Sequence, residues 1–395
     1  MEARKTTASI NPYCELEGLR TTMKMSAFTF LLAGLLVVPP IMLRFCSLCN
    51  AEGDVIFIRA GGEVDPPHSN ITRNGDTYVL SGTIECEIAV ERDSIVIDGG
   101  GHTIRGINSW DSKGIHLSNV HNVTVRDVNI ERFWFSVYMN ATSTCTIQEN
   151  RLARSHRGAK LTNSWGNMII DNVVERGTTA FYLKSSHSNT IFRNRIEFNT
   201  WNGVQLYASS NNTIEENYIE SNRRAGIVFE SHSKNNTAMR NIIVNQTFGI
   251  NFGNMSNYNQ VIENNITGNI YGVYLNGLTI GVSGNALFHN WFVNNTNHVF
   301  PRISLVNTWD AGYPSGGNFW DDYVDVDVYG GPSQNETGSD GIWDHPYLID
   351  ELNQDRYPIV PEFSSNVFLF VFLSTTLIIG MLGRRALRKH TSSTR

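Results

Sequence analysis

From about Gly114 to Val299 the apolar and polar positions of this chain recur with a fixed period. Cut at the recurrence, the sequence reads GIHLSNVHNVTVRDVNIERFWF, SVYMNATSTCTIQENRLARSHR, GAKLTNSWGNMIIDNVVERGTT and onward, and the first seven units are 22 or 23 residues long. A period in this range marks a solenoid. Inside a unit the pattern alternates over short runs such as Thr190-Ile191-Phe192-Arg193-Asn194-Arg195-Ile196. Alternation with β-branched residues predicts strands, and the runs are too brief for helices. One such unit cannot bury its own apolar side. Stacked units can, with like positions about 4.8 Å apart, the strand spacing. Two polar registers run through the stack. One holds Asn122, Asn167, Asn189, Asn212, Asn236 and Asn259, with Cys145 in the second unit. The other holds Asn150, Asn172, Asn194, Asn217, Asn241 and Asn264, with Asp127 in the first. An inward Asn at a bend can hydrogen-bond to the Asn one coil above, which makes its burial tolerable. The prediction is an all-β fold, a right-handed parallel β-helix with Asn ladders. Leucine-rich repeats share the period but need a dense Leu consensus that is absent.

Alternation also separates inside from outside. Leu117, Met139, Leu161, Leu183, Leu206, Phe229, Phe252 and Leu275 are predicted to point inward. One residue earlier runs an outward stripe of His116, Tyr138, Lys160, Tyr182, Gln205, Val228, Asn251 and Tyr274. A second holds Ser118, Asn140, Thr162, Lys184, Tyr207, Glu230, Gly253 and Asn276. Spaced Tyr with Lys, Gln, Asn and His suits an extended sugar chain, since rings stack on pyranose faces and polar groups meet hydroxyls. The candidate groove is therefore His116, Tyr138, Lys160, Tyr182, Lys184, Gln205, Tyr207 and Tyr274, and the expected partner is a polysaccharide or cell-surface glycan. The plainer alternative is that Tyr is favoured on exposed strands.

The ends differ from this body. Residues 1–24 carry no readable signal. Met25–Leu43 is 19 residues without a charge, between Lys24 and Arg44, so 25–51 is expected to be a signal peptide or membrane anchor. Phe363–Leu382 is another 20 uncharged residues, followed by Arg384, Arg385, Arg388 and Lys389. Segment 363–383 thus predicts a transmembrane helix, with 384–395 a basic cytoplasmic tail and the body outside the cell. A net charge of −6 over 395 residues gives no bias toward nucleic acid.

Between ends and repeats lie two atypical segments, as solenoid cores require. Residues 52–113, with IFIRAGGEVDPP, ITRNGDTYVLSGTI and IAVERDSIVIDGGGHTIRG, read as an N-terminal cap and first coils. Residues 300–362 hold Gly317-Asn318-Phe319-Trp320-Asp321-Asp322-Tyr323, then Asp325 and Asp327, then Asp340-Gly341-Ile342-Trp343-Asp344-His345-Pro346-Tyr347. With the Asn-rich repeats, these stretches resemble the NosD-like β-helix domains of surface proteins, many of them archaeal, over most of 52–362. The resemblance implies a link to carbohydrate-binding and sugar-hydrolase domains and, by the family's name, to copper accessory function. It also implies that the acidic loop is a calcium loop, whose ligands here would be Asp325, Asp327, Asp340 and Asp344. This chain departs from the compact Asp-Gly pattern through Val328–Ser339. Otherwise Phe319, Trp320, Tyr323, Trp343 and Tyr347 form a C-terminal cap. Pro361-Glu362-Phe363 before the apolar segment resembles a surface-protein sorting signal.

Catalytic patterns are weak. Glu149 and Asp171 share a register one coil apart, as do Glu175 and Glu197, but all sit in charged turns where solvated acids are the plainer reading. His116, His121, His156, His187 and His232 lack metal-site spacing. No nucleophile elbow, phosphate loop or zinc-protease motif occurs. Cys46-x-x-Cys49 has no partner pair, Cys145 replaces a ladder Asn and reads as buried, and Cys14 and Cys86 are isolated. Ten glycosylation sequons, at Asn70, Asn122, Asn140, Asn211, Asn235, Asn245, Asn254, Asn265, Asn294 and Asn335, arise in an Asn- and Thr-rich repeat. Asn122 is expected to be buried in the ladder and bare, Asn245 and Asn335 accessible. The expectation is a membrane-tethered, extracytoplasmic β-helix that binds carbohydrate. Its rivals are a structural or adhesive spacer, a polysaccharide lyase or hydrolase, and a copper-delivery factor.

Overall fold

The structure, a computed structural model, describes residues 55–277, 281–303 and 305–361. Each repeat supplies one six-residue strand and two three-residue strands, for example Thr179–Lys184, Thr190–Phe192 and Arg195–Glu197. Like strands of successive coils pair in parallel, building sheets of 12, 11 and 10 strands whose order follows the chain coil by coil. The long-strand sheet carries Tyr138 beside His116 on one side and Lys160 on the other. All eight predicted inward residues from Leu117 to Leu275 are fully buried in one continuous core. No helix among the described residues is long and apolar enough to cross a membrane. The segments read as 1–24, 25–51, 363–383 and 384–395 lie outside the described residues.

The bends explain why Asn repeats. Glu149, Asp171, Arg193, Glu216, Arg240 and Glu263 each adopt a left-handed backbone, with φ between 51° and 57°. This conformation costs a non-glycine residue roughly 1–2 kcal/mol. It turns the chain so that the next side chain points inward, and the next residue is the ladder Asn. The compensation is hydrogen bonding. In the ladder Asn150, Asn172, Asn194, Asn217, Asn241 and Asn264, each carboxamide oxygen from Asn172 onward accepts the backbone N–H and the side-chain N–H of the Asn below, as Asn217 does for Asn194 at 2.9 and 3.0 Å. Asn150 accepts the N–H of Val128.

Two register assignments are corrected. Asn122 and Asp127 are themselves the left-handed residues, with φ of 54° and 50°, and the inward positions are Val123 and Val128. Asn122 is exposed, so it is neither buried nor a ladder member. Asn and Asp suit both the bend and the ladder, which makes the two neighbouring positions interchangeable by residue type. Two further ladders escaped the sequence reading. One joins Asn199 to Asn222, breaks at Gln246, whose Oε1 finds no partner among the described residues, and resumes from Gln246 through Asn269 to Asn295. The other joins Thr142, Ser164, Ser186, Ser209 and Ser233.

At the C-terminal end one short segment terminates two ladders. Asn353 accepts from the N–H of Asn307 at 2.9 Å, and Asp355 accepts from the N–H of Asn318 at 2.6 Å. Trp320 lies stacked between Phe292 and Tyr347, 4.4 and 4.2 Å between centroids, and shields the last coil from solvent. Trp309, also fully buried, packs beside it.

Candidate functional site

The long strands do not alternate cleanly. In Lys113–Ser118 and Arg157–Thr162 the first and fourth residues are partly exposed around a tight second position held by Gly114 and Gly158. Gly203 and Gly226 hold the same position in later coils, where the first residues Asn202 and Ala225 are buried. A Cβ on Gly158 would lie 2.7 Å from the carbonyl oxygen of Ala180, so the column admits only small residues. Consequently the first strand residues, Lys113, Phe135 and Arg157, join the predicted stripe of His116, Tyr138 and Lys160 on one face. Strict alternation hides them. The recurring Gly or Ala at the second position is the signal that could have found them.

On this face the Arg157 guanidinium lies 4.2 Å from the Tyr182 ring centroid, and the Lys160 ammonium 4.8 and 5.1 Å from those of Phe135 and Tyr138. Lys184 and Tyr207 stand side by side on neighbouring strands. Among the described residues Arg157, Lys160 and Lys184 form no ion pair, whereas Lys113 is bonded to Asp111 at 3.1 Å. Burial, reinforced by the neighbouring Arg157, Lys184 and Lys113, lowers the Lys160 pKa even though Asp111 opposes the shift. Burial likewise depresses Arg157 and raises the Tyr182 phenol. Arg157 Nε, Thr162 Oγ1, Asn202 Oδ1 and Asn251 Oδ1 are buried on this same sheet without a hydrogen-bond partner among the described residues. Arg157 and Lys160, half-buried, and the exposed Lys184 thus place three cations without ion-pair partners among the described residues beside the rings of Phe135, Tyr138 and Tyr182.

The other candidates divide. His116 donates from Nδ1 to Glu87 at 3.0 Å and packs its ring 5.3 Å from Tyr138, so it joins the cationic patch. Gln205 donates to Glu230 at 2.9 Å, at the patch border. Tyr274 belongs elsewhere. It packs 4.6 Å from Phe248 and stacks 5.4 Å from Phe300, and buried Val228 and Asn251 separate it from Tyr182. The stripe is thus two patches, not one continuous groove.

Paired carboxylates are distant or already engaged. Glu87 and Glu230 lie on strands six steps apart in the long-strand sheet, roughly 29 Å at the strand spacing. Two acids acting on one glycosidic bond stand about 5–9.5 Å apart. Asp171 is held by Arg193 at 2.9 Å, Glu197 by Arg195 at 2.7 Å, and Glu175 by Arg151.

The four acidic cap residues bind their own backbone. Asp325 accepts from His345 N at 3.0 Å, Asp327 from the N–H groups of Asp340 and Gly341, Asp344 from Val328 and Tyr329, and Asp340 from Ile342. Among the described residues one group has metal-ligand spacing, His298 with Asp321 and Asp322. Hydrogen bonds tie the group together. Asn295 Oδ1 accepts from Asn269 N, which fixes the amide so that Nδ2 donates to His298 Nδ1 at 3.3 Å. His298 Nε2 therefore carries the proton and donates to Asp321 at 2.8 Å. Asp325, Asp327, Asp340 and Asp344 are not part of that group.

Comparison with known proteins matches residues 113–266 to the family described as right handed beta helix region. No curated protein matches the sequence. Among solved structures, the chain is similar to the periplasmic alginate epimerase AlgG at 16% identity, covering 64% of this chain and 82% of that one with a TM-score of 0.45. It is also similar to the DFA-IIIase of Arthrobacter chlorophenolicus A6 at 14% identity, covering 58% and 61% with a TM-score of 0.41. The catalytic domain of a GH87 alpha-1,3-glucanase is similar at 16% identity, covering 62% and 63% with a TM-score of 0.39. Residues 113–266 thus carry a right-handed β-helix region, within a body whose fold is a parallel β-helix solenoid strung on Asn ladders.

Proposed function

We propose that this chain binds an acidic polysaccharide, one bearing uronate carboxylates, along the long-strand sheet between Lys113 and Tyr207, and that it does so outside the cell, tethered through 363–383. The observation that carries the reading is the set of unpaired cations Arg157, Lys160 and Lys184 among Phe135, Tyr138 and Tyr182. A carboxylate would relieve their mutual repulsion and form charge-assisted hydrogen bonds, while the sugar's C–H face would lie on the rings. Successive strands rise by about 4.8 Å, close to the length of one pyranose, so a chain lying along the solenoid would meet one coil per sugar. The uncharged 20-residue segment Phe363–Leu382 with its basic tail supports the tether.

The test is retention of the full-length protein, solubilised in mild detergent, on immobilised polygalacturonate and on its fully methyl-esterified form. Retention is expected on the acid only, is weakened by salt, and falls roughly tenfold on Arg157→Ala or Lys160→Ala, the loss of about 1.4 kcal/mol from one charged contact. Equal retention on the ester would refute the charge reading. No retention on either would move the spacer reading ahead.

A further inference from the structure

We propose that a slot over Thr178, beside the long-strand sheet, takes one uronate ring of the bound chain as a stacked, charge-anchored subsite. The proposal rests on the polysaccharide reading above and adds a second binding element to it. Just before each long strand the chain places one residue per coil in a column, here Trp134, His156, Thr178, Trp201 and Arg224. Flat groups stack along it. Trp110 lies 4.2 Å from Trp134, Trp134 3.9 Å from His156, and the Arg224 guanidinium 4.5 Å over Trp201. Thr178 is the short side chain interrupting the stack. Its hydroxyl is held by His156 Nδ1 at 3.1 Å. His156 and Trp201 lie two coils apart, about 9.6 Å at the strand spacing. Two stacking contacts of about 4.5 Å each would span that distance, and the side chain at the level between them is the short Thr178.

A cavity of about 280 Å³ opens beside Thr178 on the side of Trp134 and His156, lined by these three with Arg154, Arg176 and Gly177, while Trp201 stands outside its wall. Its floor cannot be filled from within, because a Cβ on Gly177 would lie 2.5 Å from the carbonyl oxygen of Ser155. No carboxylate lines it. Arg154 forms no ion pair among the described residues, and Arg176 reaches only Glu175 at 3.5 Å. Two guanidinium groups beside an aromatic-walled gap suit a ring that is apolar on its faces and anionic at its rim. Continuity with the sheet patch is covalent, since Trp134 precedes Phe135 and His156 precedes Arg157.

The experiment titrates the full-length protein with oligogalacturonates of increasing length by calorimetry, comparing wild type with Thr178→Trp, which fills the gap, and Arg154→Ala, which removes an exposed charge. Both variants are expected to bind the longest oligomer roughly tenfold more weakly, one charged or stacked contact, and to leave the shortest oligomer that the sheet cations hold unchanged. Long-oligomer affinity at the wild-type level in both variants would overturn the slot while leaving the polysaccharide reading intact. Failure of the wild type to bind any oligogalacturonate would overturn both. Should Thr178→Trp lower the melting temperature, Arg154→Ala decides alone.

Discussion

Replacing Asn217 by Leu tests whether the Asn ladder holds the coils together. The change nearly conserves volume, so its cost is chiefly that of hydrogen bonds and not of a cavity. Asn217 Oδ1 accepts from Asn194 N and Nδ2 at 2.9 and 3.0 Å. Its Nδ2 donates to Ile191 O, Glu215 O and Asn241 Oδ1, each at 2.9 Å. Leucine removes all five, and the buried Asn194 N–H loses its acceptor. An orphaned buried donor costs about 1–3 kcal/mol, and the remaining bonds add near 1 kcal/mol each, less the gain from burying an apolar side chain. The expected loss is about 3–5 kcal/mol, against total stabilities of about 5–15 kcal/mol for folded domains. Urea unfolding followed by circular dichroism reads it as a lower midpoint. Asn122→Asp, at an exposed bend where Asp is equally suited, is the control and should change stability by less than about 0.5 kcal/mol. An Asn217→Leu protein within about 1 kcal/mol of wild type would refute the reasoning and place coil cohesion in the apolar core alone.

Two other outcomes follow from buried titratable groups. Burial raises the Asp355 carboxyl to about 7, against the pull of its bonds from Asn318, Trp320 and Tyr357. A raised folded-state value means that the neutral acid is favoured in the native cap. This stabilisation is complete below the ordinary carboxyl value of 3.8 and is lost as pH rises through about 7. Thermal melting should therefore weaken from pH 5 to pH 8, and Asp355→Asn should flatten that slope; an unchanged slope would assign the pH dependence elsewhere. Burial also lifts the Cys145 thiol to about 11. The native protein should leave this residue unlabelled by maleimide at pH 8 and label it fully in urea, as judged by peptide mapping; rapid native labelling would contradict its place in the core.

The sequence alone determined the coil. A 22-residue period of alternating apolar residues specifies strand length, the inward set from Leu117 to Leu275 and the ladder from Asn150 to Asn264, because each coil repeats the same local problem and its neighbour solves it in the same way. It fixed register only to within one residue where Asn and Asp suit both the bend and the ladder, as at Asn122 and Asp127. Tertiary structure decided what depends on neighbours across coils. Arg157 faces out beside Tyr182 because a small residue at the second strand position breaks the alternation. Trp134, His156 and Trp201 align around Thr178 only once the coils are stacked, since their spacing in the chain is that of unremarkable turn residues. Asn353 and Asp355, distant in sequence from the last repeat, finish ladders that begin in its first coils. Periodicity is written locally and can be read from one strand of text, whereas charge pairing, stacking gaps and end-capping are relations between coils that exist only when the chain has closed upon itself.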